Sequence, residues 1–225
     1  GPIPAASPGT AEIVNAGPAG SKGVALTFDD GYCDGCVGGL VRGAETTGAH
    51  VTFCPNGAYS SVWERYARRI RRLIALGQAT ICNHTWDHPD LRTLSTDAIE
   101  REITRNEDWI ERTFGVTARP WFRPPYGAYD ADVLAVAGRL GYTRILLWSG
   151  TTADSTARSR DYVASAVRYW AKPGAIILAH GNHPGTAAAF GAIVRIVGEK
   201  GLQTMTIAEL LAGGRGKAGT TPSGY

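Results

Sequence analysis

Short apolar runs alternate with amphipathic stretches through most of this chain, and glycine closes many of the amphipathic ones. Residues 24–28, 50–54, 79–82, 144–148, 175–179 and 203–207 have the length and side chains of strands. Between them, 36–47, 61–76, a long stretch after Ser95, 132–140, 161–170 and 188–200 read as helices. Val62, Tyr66, Ile70 and Leu73 share a helical face before Gly77. Ile99, Ile103, Ile110 and Phe114 do so before Gly115, with Ser95 as the N-cap. Strand–helix alternation with short connections predicts an α/β fold with a mainly parallel sheet. A chain of 225 residues is long enough for one such domain. The clusters able to do chemistry each follow a strand-like run. A barrel brings such strand ends to one mouth, so a distorted or incomplete (β/α) barrel is expected rather than an open sheet.

Residues 1–19 are rich in Pro, Ala, Ser and Gly without periodicity, and predict a flexible arm. Residues 213–225 predict a flexible tail, which leaves 20–212 as one domain. No basic residue precedes an apolar core near the start, so no signal peptide is expected within the chain. No stretch is apolar enough to span a bilayer. The net charge of +3 comes without a concentrated basic tract of the nucleic-acid type. Arg65, Arg68, Arg69, Arg71 and Arg72 cluster on one helix and are expected to form a solvated face. Cys33 and Cys36 make a C-x-x-C, whereas Cys54 and Cys82 stand alone. A structural zinc site would want a second close pair, so disulfides are preferred, with all three pairings open.

Asp29 and Asp30 fall where the first strand-like run stops. Successive strand side chains diverge, so one carboxylate can bind a metal while the other reaches a metal-bound water. His84 and His88 are four apart, and Pro89 places them in a loop or a first turn. Two imidazoles and one carboxylate leave open positions, as a catalytic divalent ion needs. Zinc is the default, and cobalt suits the same ligands. Arg123-Pro124-Pro125-Tyr126 is a rigid segment whose guanidinium, near Asp29, would keep that carboxylate ionised. His180 ends an apolar run and is a candidate acid, with Asp154 favouring its protonated form. His183 competes for that role, and His50 is expected to be structural. Trp86, Trp121, Trp148 and Tyr126 lie beside these segments, and core packing is expected for each.

Taken together, Thr27-Phe28-Asp29-Asp30-Gly31, His84-Thr85-Trp86-Asp87-His88, Arg123-Pro124-Pro125-Tyr126 and Leu178-Ala179-His180 resemble the signature of the polysaccharide deacetylases. These form carbohydrate esterase family 4, the NodB-homology domains. The resemblance covers nearly the whole core and implies the same distorted barrel. It implies Asp29 as general base, and Asp30, His84 and His88 as ligands of one divalent metal. Arg123 would tether Asp29, and the Tyr126 backbone N–H would serve the oxyanion. His180 would be the general acid supported by Asp154, with Leu178 and Trp148 lining the substrate pocket.

The implied activity is hydrolysis of carbon–nitrogen bonds, removing acetyl groups from an N-acetylglucosamine polymer such as chitin or peptidoglycan. Deacetylation of acetylxylan and a weakened carbohydrate-binding relative are the alternatives. A secreted or wall-associated monomer acting on acetylated polysaccharide is expected, with no nucleic-acid partner. The chain departs from the family in three places. Tyr32 stands where proline is usual, Thr151 and Ser155 replace the Asp and Trp that flank Asp154 in the family motif, and Gly181-Asn182-His183 follows His180. Serine at 155 predicts a more open acetyl pocket.

Overall fold

Alternation along one strand explains most of the architecture. The structure, a computed structural model, describes residues 3, 5–214 and 216–223. Strand β2 (Gly23–Asp30) is buried at every position. Val24, Leu26 and Phe28 point into an outer apolar layer shared with the helices. Ala25 joins a second, inner cluster with Leu146, Trp148, Ile176 and Leu178. A strand buried on both faces reads as a continuous run, which is why periodicity alone does not show its two sides.

Around β2 lie β3 (Val51–Pro55), β4 (Ala79–Ile81), β7 (Gly150–Thr151), β8 (Ile176–His180) and β9 (Gln203–Met205). The order is β4-β3-β2-β8-β7, with β9 pairing the start of β2, and every pairing is parallel. A second parallel sheet runs β1 (Glu12–Val14), β6 (Arg144–Leu146) and β5 (Trp121–Phe122). A parallel bridge between Asn83 and Phe122 links the two sheets. The result is a single α/β domain built as a distorted barrel. Helices α1 (Asp34–Thr47), α2 (Ser60–Ala75), α3 (Thr96–Phe114), α4 (Ala131–Arg139), α5 (Arg160–Trp170) and α6 (Pro184–Glu199) connect its strands. The predicted Ser95 cap is present, accepting from the Ala98 N–H, and Gly115 ends α3 at φ 75°. No helix among the described residues is long and apolar enough to cross a membrane.

Several expectations are corrected. The arm expected over 1–19 contains β1, whose register pairs Val14 with Leu146. The tail expected over 213–225 is tied down as well. Asn15 N donates to Lys217 O at 2.8 Å, and Lys217 N returns a bond to Ala16 O at 2.8 Å. The buried Asn15 side chain accepts from Gly219 N at 3.0 Å, and Trp148 Nε1 donates to Pro222 O at 3.0 Å. Parts of both ends therefore pair with the domain expected at 20–212. Within these two segments, positions 1, 2, 4, 215, 224 and 225 lie outside the described residues. Backbone bonds, one asparagine and one tryptophan hold the ends, and composition does not encode such bonds. Helix α6 begins at Pro184, four residues early, because proline suits a first helical turn. The strand expected over 203–207 stops at Met205, and Thr206 with Glu209 forms a capping box that starts α7 (Ile207–Ala212).

The arginine cluster on α2 is partly tethered. Arg65 and Arg69 pair with Asp34 and Glu45 of α1, and Arg71 donates to the Thr113 and Arg112 carbonyls. His50 is the expected structural residue, 2.8 Å from Glu209.

Truncation after Gly214 tests the role of the tail. It removes the Lys217 bridge and the bonds at Asn15 and Trp148. At about 1 kcal/mol per net hydrogen bond, a loss of roughly 2–4 kcal/mol is expected in urea denaturation. An unchanged midpoint would show that the tail contributes nothing.

Candidate active site and metal centre

Register builds the site before any long-range contact is needed. Asp29 on β2 lies opposite both Cys54 of β3 and His180 of β8. These residues form one layer at the strand ends, with Cys54 itself part of the apolar inner cluster. Thr27, one layer lower, accepts from Arg123 Nη1 at 2.7 Å and donates to Ile177 O at 2.8 Å. Arg123 is fully buried. Its Nη1 also donates to Asp29 Oδ1 at 2.8 Å, while Nε and Nη2 donate to the Leu146 and Leu147 carbonyls.

His84 and His88 lie in a loop after β4, as Pro89 requires. His84 Nδ1 is 2.7 Å from the Arg123 carbonyl oxygen. A carbonyl only accepts, so Nδ1 carries the proton and Nε2 presents its lone pair. That Nε2 lies 3.3 Å from Asp30 Oδ1 and 3.5 Å from Asp29 Oδ2. His88 Nε2 lies 3.5 Å from the same Asp30 oxygen.

The ligand atoms of Asp30, His84 and His88 all fall within 4.8 Å of one another. Asp30 Oδ1, His84 Nε2 and Asp29 Oδ2 are buried and have no hydrogen-bond partner among the described residues. Buried polar atoms left unsatisfied are costly, and these three converge on one point. A carboxylate with two imidazoles fits a divalent cation there.

The electrostatics agree. Burial would raise the Asp30 carboxyl, but His84, with the His180 and His88 charges, holds it well below the usual carboxylate range. Burial would lower His84, yet Asp29 and Asp30 push it up. His88 falls to about 4 through burial and the His84 charge. The pocket favours one positive charge beside Asp30, supplied by a proton or by a metal that displaces it.

His180 Nδ1 is 2.8 Å from Asp154 Oδ1, and its backbone N–H donates to Asp154 Oδ2. Thr186 donates to that same Oδ2. Burial lowers the imidazole, but the Asp154 bond and charge outweigh it, so the net shift is upward. His183 points elsewhere, toward Tyr32 and Ser155. Leu178 and Trp148 meet in the inner cluster, and a side chain at Gly127, next to Tyr126, would collide with the Trp148 ring.

Asp30, Thr85, His88, Tyr126 and Ala153 are the non-glycine residues with positive φ among the described residues, between 50° and 71°. All belong to the site's segments. Such backbone costs on the order of 1–3 kcal/mol per residue and persists only where neighbours enforce it. Sequence reading missed the enforcers. Asn56 donates to the His84 and Thr85 carbonyls, and Asn83 Oδ1 accepts from Thr85 N. Asn106 donates to Asn83 from α3. Asn182 donates to Asp30 Oδ2 at 2.7 Å and accepts from Gly31 N at 3.0 Å. It fixes the carboxylate so that Oδ1 faces the histidines. The four cysteines pair as Cys33–Cys36 and Cys54–Cys82.

Residues 16–145 match the sequence profile of the polysaccharide deacetylases. A chitooligosaccharide deacetylase of Rhizobium leguminosarum bv. trifolii is 33% identical over 163 residues, 72% of this chain and 73% of that one. The structure of the Bc1960 peptidoglycan N-acetylglucosamine deacetylase superposes with a TM-score of 0.79 at 26% identity. It covers 91% of this chain and 95% of that one. A mutant of BA3943, a CE4 family pseudoenzyme with restored enzymatic activity, superposes with a TM-score of 0.78 at 26% identity, over 89% and 71% of the two chains.

His84→Ala removes a donor and should abolish stoichiometric metal by elemental analysis. Asn182→Ala leaves all three donors but frees Asp30 Oδ2. It is expected to weaken affinity about ten- to a hundredfold, read by competition with a chromophoric chelator. Unchanged affinity would show that β2 alone orients Asp30.

Proposed function

This chain belongs to the polysaccharide deacetylase family, carbohydrate esterase family 4, and on that premise we propose that it hydrolyses N-acetyl groups of an N-acetylglucosamine-containing polysaccharide, releasing acetate. The observation that carries the reading is the buried Asp29 Oδ2, left without a hydrogen bond 3.5 Å from His84 Nε2 in the Asp30–His84–His88 cluster. A lone carboxylate oxygen beside a cation site is poised to take a proton from water.

Each residue then has one task. Asp30, His84 and His88 would hold a divalent ion, zinc by ligand chemistry, with cobalt as a substitute. Such an ion, once bound, would supply Lewis acidity to a carbonyl and to a water. Asp29 Oδ2 accepts the water's proton, and Arg123 on Oδ1 holds the carboxylate in orientation. The Tyr126 backbone, turned to φ 61°, offers its N–H to the developing oxyanion. Asp154 occupies His180 Nδ1, so the proton for the leaving amine comes from Nε2. Leu178 and Trp148 form the apolar wall for the acetyl methyl.

The complete set of Asp29, Asp30, His84, His88, Arg123 and His180 supports turnover despite the altered segment around Asp154. Two disulfides support an oxidising location outside the cytosol, secreted or wall-associated. Named relatives act on chitooligosaccharide and on peptidoglycan, which supports an aminosugar polymer as substrate. Acetate release is the test, measured across chitooligosaccharides, peptidoglycan and acetylxylan with and without a chelator. Release from aminosugars that stops on chelation is expected. Release from acetylxylan alone would move the assignment to esters, and no release from any would mark a sugar-binding relative.

Asp29→Asn keeps the shape but cannot accept the proton. A fall of about a hundred- to ten-thousand-fold in kcat is expected with the metal retained. Near wild-type turnover would place the base elsewhere.

His180 must be protonated to act, so activity should fall as pH rises through its elevated pKa. Asp154→Asn removes the charge that holds that pKa up. The alkaline limb of kcat is expected to move to lower pH, and an unmoved limb would show that His180 is not the acid.

A further inference from the structure

The three places where the sequence departs from its family meet in space. A Cβ on Gly181 would lie 3.1 Å from the Gly31 Cα, so the segments after β2 and β8 touch backbone to backbone. Gly181 N donates to Asp29 O at 2.9 Å and holds that approach. Tyr32, in place of the family's proline, thereby brings its hydroxyl 3.2 Å from His183 Nε2. The two rings meet edge to face with centroids 6.0 Å apart. The same Nε2 lies 3.2 Å from the carbonyl oxygen of Ser155, which replaces the family's tryptophan. That oxygen can only accept, so Nε2 carries the proton and the His183 ring is fixed in one orientation.

Tyr32 is held on a second edge by Tyr59, at 5.6 Å between centroids. Pinned twice, it still exposes 46% of its surface. It follows Asp30 by two residues and so stands beside the Asp30–His84–His88 cluster. A rigid aromatic face costs little entropy to use, because its side chain is already ordered. Its chemistry matches the axial C–H face of a pyranose ring, apolar in the middle and hydroxylated at the rim.

We propose that Tyr32, braced by His183 and Tyr59, is the stacking wall of a sugar subsite for the pyranose ring adjoining the one that is deacetylated. It stands across His183 from Ser155, the position of the missing tryptophan. His183 is a positioning residue, acting through Tyr32. This rests on the deacetylase reading for the identity of the sugar, an N-acetylglucosamine oligomer.

The experiment uses the metal-loaded Asp29→Asn protein, so that bound sugar is not consumed, and titrates it with N-acetylchitotetraose by calorimetry. Tyr32→Ala in that background is expected to raise Kd about tenfold, as the loss of one apolar ring contact predicts. Tyr32→Phe keeps the ring and should stay within about threefold. His183→Ala should fall between them. In the otherwise wild-type enzyme, Tyr32→Ala should raise KM for the tetramer with kcat within about twofold, and raise it less for the monosaccharide. Equal Kd with and without the Tyr32→Ala substitution, or an effect confined to kcat, overturns the subsite. So does a tetramer that binds neither protein. Acetate release by the wild type judges the deacetylase reading separately, so the two can fail independently. Retained metal content and urea midpoint in each variant exclude misfolding as the cause.

Discussion

One buried guanidinium organises the interior. Arg123 is sealed from solvent, and removing one member of such a pair typically costs about 3–5 kcal/mol because the remaining charge is left bare. Its nitrogens are matched instead, to Asp29, Thr27 and the carbonyls of residues 146 and 147. Its own carbonyl oxygen accepts a hydrogen bond from His84 Nδ1. The side chain therefore orients the carboxylate proposed as base, and the main chain orients an imidazole proposed as ligand. A change in how Arg123 sits would move both at once. The link between the two sheets lies next to it, where Arg123 N donates to Asn83 O and Asn83 bridges Phe122.

The layer that contains Asp29 also contains a disulfide half. Cys54 shares its register, and its partner Cys82 lies two residues before His84. The bond joins the ends of adjacent parallel strands where ladder hydrogen bonding gives way to loop. It anchors the start of the His84–His88 loop on the frame that carries Asp29. Above it, the loop has no helix or strand to fix its φ and ψ. The asparagines supply that frame, since each amide can donate to carbonyls and accept from N–H groups at once.

How much of this could be read from sequence follows from which signals are local. Helix α3 was legible from Ser95, the 3.6-residue apolar spacing and Gly115, all of them short-range. Strand β2 was legible as an apolar run followed by carboxylates. Strands β1 and β7 have three and two residues, too few for any period, and exist through pairing with β6 and β8. The site residues found by motif are those whose chemistry is unusual in a strand end or a loop, namely paired Asp and spaced His. Asn56, Asn83, Asn106 and Asn182 were missed because asparagine before burial looks like any surface turn residue. Only the fold shows that the first three are fully buried and the fourth nearly so.

The same distinction separates what is general in this site from what is particular to it. Asp29, Asp30 and His180 sit at strand ends, where register fixes them whatever the loops do. Tyr32, Ser155, Asn182 and His183 sit in the loops beyond, yet they are linked to one another and to Asp30. A substitution at one such position changes what its neighbours can contact. Proline at 32 could not reach His183, and a bulky side chain at 181 would push the two loops apart. Departures that look independent along the sequence are therefore one structural feature. They leave the strand-end layer in place and alter the loops beside it, the segments proposed to face the substrate.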